Sequence, residues 1–137
     1  MKPHERKRLP SSPEEWMAHA LSDLNLARLG QEKEDILHEQ ICFHAQQTVE
    51  KALKAALLFN KVDFPLTHDL DDLLDIAENA GIPLPPDIMD VGILTPYSVE
   101  TRYPGYWEEI TEQDVDEAIK LAKRTLTWVS EYISKHK

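Results

Sequence analysis

The residues from Cys42 to Lys54, CFHAQQTVEKALK, set an imidazole, two carboxamides, a carboxylate and two ammonium groups among apolar neighbours. Gln46 and Glu50 are four apart, as are Gln47 and Lys51, and Glu50 and Lys54, so on a helix each pair can meet on one face. Two chemistries fit that spacing. One is intrahelical pairing plus a buried, hydrogen-bonded Gln, each exposed pair adding about 0.2–0.5 kcal/mol. The other is a polar row, with His44 beside it, built for a ligand or a second subunit. The residues alone favour pairing, because buried amides left unsatisfied are costly and usually find local partners.

A second group is Thr67, His68 and Asp69. The free amides of a helix start, with an imidazole beside them, make a small anion site. The acidic residues that follow oppose an anion, so a structural cap is the better reading there. The third is the run Arg102, Tyr103, Pro104, Gly105, Tyr106, Trp107. A guanidinium fork holds carboxylate or phosphate and aromatic faces stack, which is how a base and its phosphate are held. An aromatic plug under a loop, with Arg102 paired to a nearby carboxylate, explains the same residues equally well.

Other chemistries lack their residues. There is no Gly-rich phosphate loop, no paired His with a Glu between them and no Ser in a nucleophile elbow. His19, His38, His44 and His68 do not form the Glu-x-x-His ligand set of a carboxylate-bridged metal centre. Neither a metal nor a cofactor is expected, and no residue is assigned a catalytic role.

These groups need elements to position them. Ser12, Pro13, Glu14 and Glu15 read as a helix start, with a capping hydroxyl, a first-turn Pro and carboxylates at the positive end. That helix should run to Gly30, with Trp16, Ala20, Leu24 and Ala27 on one stripe and Met17 and Leu21 widening it. The stretch from Asp35 to Asn60 has neither Gly nor Pro and should be the central helix, with Cys42, Ala45, Val49, Ala52, Leu53 and Ala56 inward. Thr67 should open a third helix that Gly81 closes. A fourth, over Asp87 to Thr101, should kink or split at Gly92 and Pro96. Thr111 and Asp114 make a capping box for a fifth, running to Ser134 and turning Val115, Ala118, Ile119, Ala122, Leu126, Val129 and Ile133 inward. No segment alternates with period two, so the fold class is all-α, an antiparallel up-and-down bundle of four to five helices.

Composition narrows the function further. The 137 residues suit one domain, expected over 13–137 behind a flexible basic arm at 1–12 that holds Lys2, Arg6, Lys7 and Arg8. Lys plus Arg total 15 against 25 Asp plus Glu, a net charge of −10. Such a balance repels a phosphate backbone over most of the surface, which argues against a broad nucleic-acid platform. The single Cys42 excludes an internal disulfide and suits a reducing compartment. No apolar run spans a bilayer and the start lacks a signal-peptide core, so a cytoplasmic location is expected.

The run from Ile41 to Ala55, ICFHAQQTVEKALKA, resembles the signature helix of the HEPN domain family (higher eukaryotes and prokaryotes nucleotide-binding). Phe64 to Leu70, FPLTHDL, followed by Leu73 and Leu74, and then Thr101, Arg102, Tyr103 and Pro104, match that family in the same order. The resemblance implies a helical bundle, a homodimer, nucleotide binding and a minimal nucleotidyltransferase as partner, the pair acting as a two-component enzyme or as toxin and antitoxin. Many members are metal-independent endoribonucleases with an Arg and a His four to six residues apart. Here Arg102 is followed next by His136, and Arg28 by His38, so that pair is missing.

Two functions follow. One is a non-catalytic, dimerising binding subunit of a nucleotidyltransferase, using His44, Gln46, Gln47, Glu50, Lys51, Lys54, His68, Asp69, Arg102 and Tyr103 for a ligand or an interface. The other is a ribonuclease toxin in which folding brings Arg102 to His44 or His68. Both require the turn at Arg102 to lie on the same side as the middle of the central helix.

Overall fold

The computed structural model describes residues 12–98 and 109–137, and every regular element among them is a helix. Helix α1 spans Pro13–Gln31, α2 His38–Phe59, α3 Leu70–Asn79 and α4 Glu112–His136. Two 3-10 helices, Pro86–Ile88 and Val91–Tyr97, lie between α3 and α4. The fold is the expected all-α bundle. The basic arm, apart from Ser12, lies outside the described residues.

Local chemistry sets the ends. The Ser12 hydroxyl accepts from the Glu15 amide at 3.1 Å and Pro13 takes the first position of α1. Before α4, Thr111 and Asp114 cap each other's amides at 3.1 and 2.9 Å, the reciprocal box expected from the sequence. Helix α3 starts later than the sequence suggests. Asp69, not Thr67, is its cap, accepting from the Asp71 amide at 2.9 Å, while Thr67 Oγ1 accepts from the Asp69 amide at 3.0 Å and shapes the turn ahead. Gly81, at φ 82°, follows α3 in the left-handed region where a Cβ is disfavoured. Helix α2 begins at His38 rather than Asp35, because Leu37 is extended and only its carbonyl starts the ladder. The expected fourth α-helix is absent over 87–98. Pro86 and Pro96 remove amide donors there, and the chain winds into the two short 3-10 pieces instead. Residues 99–101 lie outside the described residues.

Contacts between ends give the topology. Asp23 meets Lys51 and Trp16 meets Lys54, while Gly30 approaches Ile41, so α1 and α2 are antiparallel. His38 meets the Ile110 carbonyl ahead of α4, and Tyr132 donates to Asn60 just past α2, so α4 runs in the same direction as α2. The segment through α3 carries the chain back between them. Helix α2 is therefore central, packed by both α1 and α4, which also meet each other, and its Cys42, Ala45, Val49, Ala52, Leu53 and Ala56 are all buried. The inward residues expected on α4 are buried as well. Leu21 departs from expectation. It is exposed rather than widening the core stripe, and it lines a shallow groove with Met17 and Leu126.

Candidate functional site

The polar row of α2 divides into two networks on different sides of the helix. Gln46, Glu50 and Lys54 recur every four residues and form the first, all buried. Glu50 Oε1 accepts from Gln46 Nε2 at 3.1 Å and from His68 Nδ1 at 2.9 Å, and Oε2 accepts from Lys54 Nζ at 2.9 Å. Gln46 Nε2 also donates to the His68 carbonyl at 3.3 Å, and its Oε1 accepts from Gln47 Nε2 at 2.7 Å. Lys54 Nζ lies 5.6 Å from the Trp16 ring centroid and 5.8 Å from that of Phe64, two aromatic faces that stabilise a desolvated cation. The i, i+4 spacing predicted two of these bonds. Gln47 bonds to its neighbour Gln46 rather than to Lys51, and His68 arrives from the loop before α3.

The second network joins α1 to α2 through a residue that sequence reasoning missed. Asp23 is only 7% exposed. Its Oδ1 accepts from His44 Nδ1 at 2.8 Å and its Oδ2 from Lys51 Nζ at 2.6 Å. Burial pushes this carboxyl up, but the hydrogen bonds from His44 and Lys51, together with their charges, outweigh burial and hold it below its ordinary value of 3.8. A signal was present. Asp23 falls three after Ala20 and four before Ala27, on the apolar stripe of α1, where an isolated carboxylate needs partners. With Nδ1 carrying the proton toward Asp23, His44 keeps Nε2 as its second site, and no described residue engages it. The His44 side chain is 29% exposed.

His68 and Asp69 have separate tasks: His68 bonds to Glu50 and Asp69 caps α3. The structure thus brings His68 to Gln46, Glu50 and Lys54, and His44 to Asp23 and Lys51. Arg102 and Tyr103 lie outside the described residues, as does the expected meeting of their turn with α2. Cys42 is buried on α2 and accepts from the Tyr97 hydroxyl. Burial first, then the charge of Asp114, pushes the thiol up to about 12 against the lowering effect of that bond.

Beside His44, where α1 turns into α2, is an open apolar groove of about 540 Å³ lined by Leu26, Leu29, Ile36, Leu37 and Ile41, with Lys33, Asp35 and Gln40 at its polar margin. A second cavity of about 410 Å³ lies across the same loop, between His38 and Asp116, and is edged by Glu32, Glu34 and Glu112. Among the described residues no group of three or more His, Cys, Asp or Glu side chains could hold a metal ion, and no helix is long and apolar enough to cross a membrane.

The chain is similar over 90% of its length to ST0689, described as an archaeal HEPN homologue, at 30% identity and a TM-score of 0.70, covering 99% of that chain. It is similar over 87% of its length to TT1696 from Thermus thermophilus, at 29% identity and a TM-score of 0.72, covering 96% of that chain. No curated protein matches it in sequence. The model of the HEPN domain matches residues 13–132, from the first residue of α1 to the last turn of α4 and across both polar networks, so the chain belongs to the HEPN domain family.

Proposed function

We propose that this HEPN chain is a non-catalytic binding subunit that dimerises and partners a minimal nucleotidyltransferase, with capacity to hold a nucleotide for it. The observation that carries this reading is the closure of the Gln46, Glu50, Lys54 and His68 network. A general acid or base needs a proton-carrying atom within reach of substrate. Glu50 has both oxygens occupied by three donors, and Lys54 is buried against it. Such a network sets the shape of α2 and the loop before α3, which suits a scaffold. The missing Arg and His pair points the same way. The test is co-expression with a small nucleotidyltransferase encoded beside this chain, followed by calorimetry with nucleotides at millimolar concentration. Co-elution with heat of binding supports the reading, and loss of both refutes it.

A metal-independent endoribonuclease toxin is the second reading, and the Asp23–His44 pair favours it. A carboxylate that fixes one imidazole nitrogen leaves the other to accept a proton, the arrangement a general base requires. His68, whose Nδ1 bonds to buried Glu50, has the same arrangement, so both imidazoles are candidates for that role. Induced expression and labelled RNA decide. Growth arrest and RNA cleavage, both lost in Arg102→Ala and in either His44→Gln or His68→Gln, support the nuclease. Normal growth with intact RNA disposes of it.

A further inference from the structure

Most of the large apolar side chains of this bundle are buried, but Leu26, Leu29, Ile36 and Leu37 are not: Leu29 is 55% and Leu37 61% exposed. With Ile41 these four line the open groove of about 540 Å³ where α1 turns into α2. Single exposed leucines are ordinary, whereas apolar side chains gathered on one face mark an interaction surface. The same loop has a second, acidic side. Across it lies the cavity of about 410 Å³, whose lining holds Glu32, Glu34, Glu112 and Asp116. Lys33, Ile36 and Ile41 line both, so the apolar groove and the acidic cavity form one continuous surface. Asp35 adds a fifth carboxylate, and among the described residues Lys33 is the single Lys or Arg in either lining. His38 and His44, one in each lining, already bond to the Ile110 carbonyl and to Asp23.

We propose that this surface docks a basic amphipathic helix of a partner protein, with its apolar side chains in the groove and its Lys or Arg over the carboxylates of the loop. The proposal goes beyond the reading above, because it names a surface and the chemistry that covers it whichever protein carries the helix. Backbone and charge choose the occupant. An extended segment laid in an apolar groove leaves its amides and carbonyls without partners unless a sheet edge pairs them. Every regular element among the described residues is a helix, so this surface offers no such edge. A helix satisfies its own backbone and presents apolar anchors at i, i+3, i+4 and i+7, the mode by which amphipathic helices fill grooves. Five carboxylates against Lys33 then attract cations, and the −10 of the whole chain adds to the field. A second copy would set its own Glu32, Glu34 and Asp35 against the same three residues, so like charges would meet across the contact. An uncharged helix would fill the groove and leave the acidic side unanswered.

A synthetic peptide with leucines at i, i+3, i+4 and i+7 and lysines flanking that stripe tests this, beside two relatives. One relative has Glu in place of each Lys, and the other has the same composition with the leucines scattered. Isotope-labelled protein is titrated with each peptide and read by its amide chemical shifts. The Leu/Lys helix is expected to bind, with shifts gathered at residues 26–41 and 112–116 and an affinity that falls with added salt. The two relatives are not expected to bind. Leu29→Ser with Leu37→Ser should weaken binding by roughly tenfold or more, as loss of a central anchor does. Both side chains are more than half exposed, so the core stays intact. Glu32→Gln with Glu34→Gln should weaken it about fivefold, the scale of two exposed ion pairs. Asp71→Asn with Asp72→Asn, an equal change of charge at exposed residues of α3, should leave it unchanged. No binding of the Leu/Lys helix, equal binding of the scattered peptide, or an equal response to the α3 variant overturns the proposal. So does a wild type that sediments as a dimer and becomes monomeric in the leucine variant, because a second copy then holds the groove.

Discussion

Glu50 and Lys54 form an ion pair at 2.9 Å, one turn apart on α2, with each side chain only 5% exposed. Removing both charges from water costs several kcal/mol per ion, and their attraction offsets this only when the remaining lone pairs and protons are also satisfied. Here Gln46 and His68 complete the carboxylate, and two aromatic faces flank the ammonium. The pair is thereby tied to α1 through Trp16 and to the loop before α3 through His68.

Breaking this pair from one side should be far worse than removing it. Lys54→Met leaves a buried carboxylate uncompensated and is expected to cost about 3–5 kcal/mol. Glu50→Gln combined with Lys54→Met removes both charges and keeps an acceptor for Gln46 and His68, so it should recover more than half of that loss. Urea denaturation of the two single variants and the double variant completes the cycle.

The Asp23 carboxylate gives a pH dependence of definite sign. Its native value is held below 3.8, so its contribution is complete above that ordinary value and is lost as pH falls through the lowered native one. Asp23→Asn should therefore destabilise by roughly 1–3 kcal/mol near neutrality, the scale of hydrogen bonds to a charged group. The gap to wild type should close below pH 3.8. Chemical denaturation from neutral pH into strong acid reads it, and a gap that widens with acid contradicts the assignment.

Cys42 should be chemically silent in the folded chain. Burial and Asp114 hold its thiol near 12, and the thiolate is the reactive species. A disulfide reagent at mildly alkaline pH should give no release from native protein and one equivalent in denaturant, the stoichiometry set by the single cysteine.

Gly81 isolates a backbone effect. A Cβ built there meets nothing within 4 Å, yet φ is 82°. Gly81→Ala should cost about 1–2 kcal/mol from conformation alone, and Gly81→Asn should cost less, because Asn tolerates the left-handed region. Thermal melts distinguish the two. Equal melting of all three proteins would show that the turn after α3 relaxes at no cost.

Helix existence, period and caps were readable in advance because they are local. The 3.6-residue stripes of α2 and α4, the Thr111–Asp114 box and Gly81 after α3 depend on residues within a turn or two of each other. The i, i+4 bonds of Gln46, Glu50 and Lys54 are local in the same sense. The stretch from Pro86 to Tyr97 was harder, because two prolines and a glycine weaken the α-helix without saying which alternative the chain takes.

Folding alone assigned the partners of those side chains across helices. Nothing near Lys51 in the chain announces that it turns away from Gln47 to Asp23, twenty-eight residues earlier, or that His68 reaches back to Glu50. Antiparallel packing of α1 on α2 superimposes the middle of one helix on the middle of the other, which brings Asp23 to Lys51, and the return of the chain toward α3 brings His68 to Glu50. The groove of Leu26, Leu29, Ile36 and Leu37 has the same origin. An amphipathic pattern says which residues are apolar, but only the placement of neighbouring helices decides which of them water still reaches.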